Sequence, residues 1–290
     1  MVRMMDHIER KAYAKINLGL DVLRRRADGY HEVKMVMQTV DIWDRLTFTN
    51  KDQPGVDMSV GDAALPAGKD NLICRAAELL MREKKIDQGV KIVLEKNIPI
   101  AAGMAGGSTD AAAVFHGLNE LFELSMSMEE MMKLGVRIGA DVPYCIMGKT
   151  ALSEGIGEIL TPLPTPPQCV LAVAKPDINV STKFVYENLH ADKLKEHPDI
   201  DGMVQAIGEG SLEGIISRLG NVLETVTVRE YPVIEEIKNK MKENGAANAL
   251  MSGSGPTVFG IFTEHDPAQS AAELIRKSGL AKQVFVTKWL

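Results

Sequence analysis

Residues 99–109 hold the densest set of groups from which chemistry could be built. They run Pro99, Ile100, Ala101, Ala102, Gly103, Met104, Ala105, Gly106, Gly107, Ser108 and Thr109. Glycine lets a backbone turn tightly and come close to a ligand. Ser108, Thr109 and Asp110 are residue types that favour a helix start. The first N–H groups of a helix have no partner within it, and the helix dipole draws anions to that end. Together these features make a phosphate cradle. The plainer alternative is a flexible turn ahead of a well-capped helix. The common nucleotide motifs are absent. Gly148-Lys149-Thr150 resembles the tail of a Walker A loop, but Pro143 stands where its first glycine belongs. Gly155 and Gly157 lead to Leu160, and Gly253 and Gly255 lead to Val258, so neither pair completes Gly-x-Gly-x-x-Gly.

Four other groups have side chains suited to catalysis or recognition. Lys15 and Asn17 sit at i and i+2 of an alternating segment, so both leave one strand face. An exposed strand lysine is the commoner fate of such a residue. Asp141 precedes Val142 and Pro143, and the proline biases Val142 to extended backbone. That places Asp141 at a helix-to-strand junction, suited to a catalytic carboxylate and equally to a turn or cap. Ser252-Gly253-Ser254-Gly255-Pro256 reads as a hairpin turn with hydroxyls. Arg24, Arg25 and Arg26 lead to Asp28-Gly29, Tyr30 and His31. The Asp-Gly pair is a hairpin signal, three arginines usually make a solvated surface, and a lone histidine is more often structural.

These groups must be positioned by recognisable elements. Apolar alternation predicts strands over 7–22, 33–40, 46–49 and 89–96. Residues 50–69 are turn-rich through Pro54-Gly55, Gly61 and Pro66-Ala67-Gly68. Helical spacing is read in the residues after Asn71, in 111–122 and in 131–138. Four prolines within 161–167 mark the clearest boundary in the chain, dividing 1–160 from 161–290. Beyond it come a strand at 169–174, a helix from Ser181 or Thr182, a charged loop over 192–202 and helices around 203–207, 212–219 and 233–241. Paired strands over 247–250 and 257–262, a helix over 267–277 and a strand over 283–288 complete a β-α-β-β-α-β pattern. The fold class is therefore α+β.

The chain has 290 residues, 45% of them hydrophobic and 25% charged, with a net charge of −6. That balance is globular and gives no general attraction for nucleic acid or an anionic membrane. Cys74, Cys145 and Cys169 are scattered and form neither a disulfide framework nor a metal set. With no apolar run of membrane-spanning length, a cytoplasmic protein is expected.

Ala14-Lys15-Ile16-Asn17, the glycine loop and the Ser252–Pro256 segment occur together in an order that resembles the GHMP kinase superfamily. Arg26-Ala27-Asp28-Gly29-Tyr30-His31 and Gly139-Ala140-Asp141-Val142-Pro143 resemble the branch that acts on a cytidine-diphosphate-linked methylerythritol. The resemblance implies two domains, a ribosomal-S5-like ATP-binding domain and a ferredoxin-like one. It implies transfer of the ATP γ-phosphoryl to the 2-hydroxyl of the methylerythritol moiety, with Mg²⁺ as cofactor. Lys15 and Asp141 match the catalytic pair, and 99–109 match the polyphosphate loop, with Ser108 or Thr109 as possible Mg²⁺ contacts. Asn71 and Leu72 match the adenine pocket. Asn17, Tyr30, His31, Tyr186, Gly253 and Gly255 match substrate contacts. Ala105 departs from the glycine expected there, which is acceptable only if its φ is negative. A homoserine or mevalonate kinase, or a GHMP-fold protein that binds without catalysis, are the competing readings. Monomer and homodimer both remain open, and the partners expected are small molecules.

Overall fold

The computed structural model describes residues 7–61, 68 and 70–290; the expected turn residues Pro66 and Ala67 lie outside them. In chain order the elements are β1 (His7–Arg25), β2 (His31–Lys51), β3 (Val56–Val60), α1 (Leu72–Lys84), β4 (Gly89–Glu95), α2 (Gly106–Leu121), α3 (Met128–Gly135) and α4 (Val142–Met147). There follow β5 (Thr150–Gly155), β6 (Ile159–Pro162), β7 (Val170–Lys175), α5 (Thr182–Asn188), α6 (Ile200–Gly208), α7 (Leu212–Ser217) and β8 (Gly220–Asn221). The chain ends with α8 (Glu224–Glu230), α9 (Val233–Glu243), β9 (Asn248–Met251), β10 (Val258–Phe262), α10 (His265–Lys277) and β11 (Gln283–Thr287).

Two compact units interleave along the chain. The first holds Met1–Ala14, Ile42–Ile98 and Ala105–Met147; the second holds Lys15–Asp41, Pro99–Met104 and Gly148–Leu290. β1 and β2, at 19 and 21 residues, are long enough to contribute to both. Contact therefore groups the residues differently from the consecutive segments 1–160 and 161–290.

In the first unit the C-terminal part of β2 pairs antiparallel with β4, and β4 pairs parallel with β3. α1 and α2 supply Ala76, Ala77, Leu80, Val114, Phe115 and Leu118 to a core shared with Leu46, Phe48 and Ile92. Gly117 permits this packing, since a Cβ there would lie 2.5 Å from the Phe48 ring. In the second unit the N-terminal part of β2 pairs with β5, and β5 with β6. β8 adds to β1 in parallel through Gly19↔Gly220 and Leu20↔Asn221. The C-terminal strands form a four-stranded antiparallel sheet in the order β11-β7-β10-β9, the ferredoxin-like arrangement. α9 and α10 pack on it with Ile234, Ile237 and Met241 and with Ala268, Ala271, Ala272 and Ile275, all buried.

Two local expectations change. Residues 33–40 and 46–49 belong to one strand, because Asp41 to Arg45 continue the alternation with buried Ile42 and Asp44. Val142 opens a helix instead of a strand, with Pro143 in the first turn, where its missing N–H costs nothing.

Candidate active site

The candidate side chains divide between the two units. In the first, α2 begins at Gly106, and its N-cap is Ala105, in the left-handed region at φ 56° and with no side-chain cap. Ser108, Thr109 and Asp110 are thus inside the helix and do not precede it as caps. The first α-helical bond is donated by Thr109 N to the Ala105 carbonyl at 2.9 Å. The first turn carries no acidic residue to compete with an anion. Its end is open for phosphate oxygens. The expectation of negative φ at Ala105 is overturned: a left-handed alanine costs about 1 kcal/mol, which the loop carries. Ala105→Gly is accordingly expected to stabilise the protein by roughly 0.5 kcal/mol, read as a higher urea midpoint.

The two loop hydroxyls separate clearly. Thr109 Oγ1 donates to the Tyr13 carbonyl at 2.6 Å, and Thr109 is buried, so it ties α2 to β1. Ser108 is half-buried on the first turn. Asn71 caps α1, its side-chain oxygen accepting from Ile73 N at 2.9 Å. Leu72 lies beside the loop, since a Cβ on Gly107 would meet its Cδ1 at 3.4 Å. Asp141 precedes α4, and its carbonyl accepts from Cys145 N at 3.0 Å. Its carboxylate makes no hydrogen bond or ion pair among the described residues, so it is not spent on capping.

Beneath the loop lies a charge cluster that the sequence reading missed. Lys96 Nζ donates to Asp44 Oδ2 at 2.5 Å and to Asp110 Oδ2 at 2.7 Å. A Cβ on Gly106 would lie 3.0 Å from that Nζ. Asp44 Oδ1 also accepts from Asn97 N and Ile98 N at 2.6 and 2.8 Å, whereas Asp110 Oδ1 is buried without a partner. One cation serves two buried carboxyls, and Asp44 has two backbone N–H donors besides Lys96, where Asp110 has Lys96 alone. Burial, with Asp44 adding to it, raises the Asp110 carboxyl from 3.8 to about 8. The folded state then holds a proton that the unfolded chain has released above pH 4, so this group costs stability as pH rises towards 8. Asp110→Asn, neutral throughout, is expected to gain stability relative to the parent across that window; thermal melts at pH 5 and 8 check it.

In the second unit Lys15 is only 6% exposed, which excludes the ordinary surface fate. Its Nζ donates to Asn17 Oδ1 at 2.7 Å and to the Gly103 carbonyl at 3.3 Å, both neutral acceptors. Asn17 is fully buried, with its amide nitrogen 3.3 Å from Met35 Sδ. Ser252 Oγ donates to the same Gly103 carbonyl at 3.0 Å. Gly103 (φ 69°) and Gly253 (φ 57°) bring two backbones together: a Cβ on Gly103 would fall 2.3 Å from the Ser252 carbonyl oxygen. Three sequence-distant motifs thus meet on one carbonyl. Pro99, Ile100, Ala101 and Ala102 lead into it, with Ala101 also left-handed at φ 51°.

Of the residues expected to contact substrate, two have neighbouring rings. The rings of His31 and Tyr186 lie 5.1 Å apart, tilted by 41°. Burial, and then the charge of Arg25, push the His31 imidazole below its usual value, so it is neutral at pH 7. A neutral imidazole offers one donor and one acceptor. Tyr30 stands apart from this pair, 59% exposed at the hairpin tip, its backbone N bonded to Asp28 Oδ1 at 3.1 Å.

Comparison with known proteins agrees with this geometry. Residues 71–149 match the GHMP kinases N terminal domain, and residues 203–279 match the GHMP kinases C terminal domain. The chain is 52% identical over 284 residues to the 4-diphosphocytidyl-2-C-methyl-D-erythritol kinase of Lachnospira eligens, covering 98% of this chain and 99% of that protein. It is 50% identical to the kinase of the same name from Lachnoclostridium phytofermentans, covering 98% of each. A crystal structure of 4-(cytidine 5'-diphospho)-2C-methyl-D-erythritol kinase superposes with a TM-score of 0.83 at 33% identity, covering 97% of this chain and 99% of that one. Homoserine kinase from Cytophaga hutchinsonii shares the fold, with a TM-score of 0.79 at 20% identity and coverage of 99% and 95%. An uncapped helix end after a glycine loop, a buried β1 lysine bonded to that loop and end-to-end similarity to named kinases lead to one assignment: the chain belongs to the 4-diphosphocytidyl-2-C-methyl-D-erythritol kinase family of the GHMP kinases.

Proposed function

We propose that the protein transfers the γ-phosphoryl group of ATP to the 2-hydroxyl of 4-diphosphocytidyl-2-C-methyl-D-erythritol, giving the 2-phosphate, in the non-mevalonate route to isoprenoid precursors. The observation that carries the reading is Lys15, a buried ammonium tethered to the glycine-loop carbonyl of Gly103. In this reading Asp141 accepts the hydroxyl proton, and its uncommitted carboxylate suits that task. Lys15 meets charge on the nucleophile and the transferring phosphoryl. The N-terminus of α2 holds the ATP phosphates, and Asn71 and Leu72 flank the adenine. Tyr30, His31 and Tyr186 line the cytosine pocket, His31 by directed hydrogen bonding and Tyr186 by stacking, with Asn17 orienting the substrate and Gly253 and Gly255 approaching its phosphates. Segment 1–160 then supplies ATP contacts and catalysis, and 161–290 part of the substrate wall.

Mg²⁺ fits as a companion of the nucleotide. Among the described residues no cluster of three His, Cys, Asp or Glu stands ready to hold a metal. Ser108 would contribute a hydroxyl oxygen, Thr109 being engaged with Tyr13. When bound, the ion neutralises phosphate charge. A cytoplasmic location suits such a substrate, and no described helix is long and apolar enough to cross a membrane.

The test is ATP turnover by the purified protein with the cytidine substrate, with homoserine and with mevalonate. Turnover with the cytidine substrate alone is expected. Turnover with another alcohol would remove the cytosine assignment of His31 and Tyr186, and none at all would favour a binding protein.

A further inference from the structure

Beside β1, Asn221 of β8 performs a task that the catalytic reading leaves unexplained. Asn221 is 7% exposed and uses nearly all of its polar capacity. Its amide nitrogen donates to the carbonyls of Met251 at 2.9 Å and Gly253 at 2.8 Å, and its oxygen accepts from Leu223 N at 3.0 Å. Glu224 completes the grip: one carboxylate oxygen accepts from Met251 N at 2.8 Å and the other from Lys238 Nζ at 2.8 Å. β9 is the edge of its sheet, so the outward N–H and carbonyl of Met251 need partners other than a strand. Asn221 and Glu224 supply both. The same Asn221 is paired to Leu20 of β1, five residues along from Lys15.

We propose that Asn221 is a positioning residue for phosphoryl transfer, fixing the Ser252-Gly253 backbone so that the Gly103 carbonyl holds the Lys15 ammonium in place. The inference rests on the catalytic reading of Lys15 given above. Its links are all in one compact unit: Asn221 to Gly253, Ser252 Oγ to the Gly103 carbonyl, and that carbonyl to Lys15 Nζ. Gly253 cannot drift without consequence, because a Cβ on it would already lie 3.0 Å from the Gly103 carbonyl oxygen. Removing the amide frees two buried carbonyls and releases the backbone that supports Gly103.

The experiment measures kcat and the KM for ATP, per folded molecule, for Asn221→Ala, Lys15→Met and the double variant. Asn221→Asp serves as the isosteric alternative should the alanine variant not fold. A loss of kcat of about tenfold or more at Asn221, with the KM for ATP held within about threefold, is expected. If Asn221 acts through Lys15, the double variant loses no more than about twofold beyond Lys15→Met alone. Independent, multiplicative losses, or an unchanged kcat at Asn221 in both variants, would overturn the inference while leaving the role of Lys15 intact. Full kcat in Lys15→Met would overturn the catalytic reading and the inference with it.

Discussion

Asp141→Asn is expected to lower kcat by about 10²- to 10⁴-fold while leaving the fold and nucleotide affinity close to those of the parent. The size follows from the task. A positioned base contributes on that scale, and an amide cannot accept the hydroxyl proton. The small structural effect follows from the surroundings. The Asp141 carboxylate makes no hydrogen bond among the described residues, and α4 is started by the backbone, through Cys145 N on the Asp141 carbonyl. Steady-state kinetics with the cytidine substrate, together with ATP titration of the variant, separate the two quantities. A variant retaining more than about a tenth of the parent kcat would remove Asp141 as the base, as would a loss confined to KM.

Gly103→Ala is expected to abolish measurable turnover and to lower stability by about 3 kcal/mol or more. Two causes combine at one Cα. The backbone sits at φ 69°, where a side chain is strained. The new methyl would also lie 2.3 Å from the Ser252 carbonyl oxygen and 3.0 Å from that of Gly255, both backbone atoms that cannot rotate away. Relief requires the two loops to separate, which takes the Gly103 carbonyl from Lys15 and Ser252. A circular-dichroism melt and an activity assay measure both effects, and near-parent activity would refute the account.

Much of this was legible in the sequence. The alternation from His7 onward and the helical spacing after Gly106 read directly as β1 and α2. The βαββαβ order of the C-terminal segment showed as short apolar runs, buried beyond Val170 in β7 and throughout in β10, between helices with one buried face, α9 and α10. The glycine loop could be read as a turn into a helix from residue type alone, and α2 does begin at Gly106. What stayed hidden depends on partners distant in the chain. Asp44, Lys96 and Asp110 are separated by up to 66 positions along the sequence, and each alone is an ordinary charged residue. Asn221 sits in a two-residue strand, too short for any periodicity. Ala105 misled because alanine seldom takes left-handed backbone, and here the surrounding loop enforces it. The helix-to-strand junction expected at Asp141 is instead a junction between two helices, because Pro143, expected to extend the backbone, sits in the first turn of α4, where a proline is tolerated.

The stitching of β1 to the glycine loop has a consequence for dynamics. Lys15 N donates to the Met104 carbonyl at 3.2 Å, and Tyr13 takes the Thr109 hydroxyl five residues further along the loop. Two consecutive odd-numbered positions of one long strand thus pin both ends of the segment that turns into α2. A loop held in this way is preorganised: its amides should exchange slowly with deuterium before any nucleotide arrives, and ATP binding should carry little entropic penalty for ordering it.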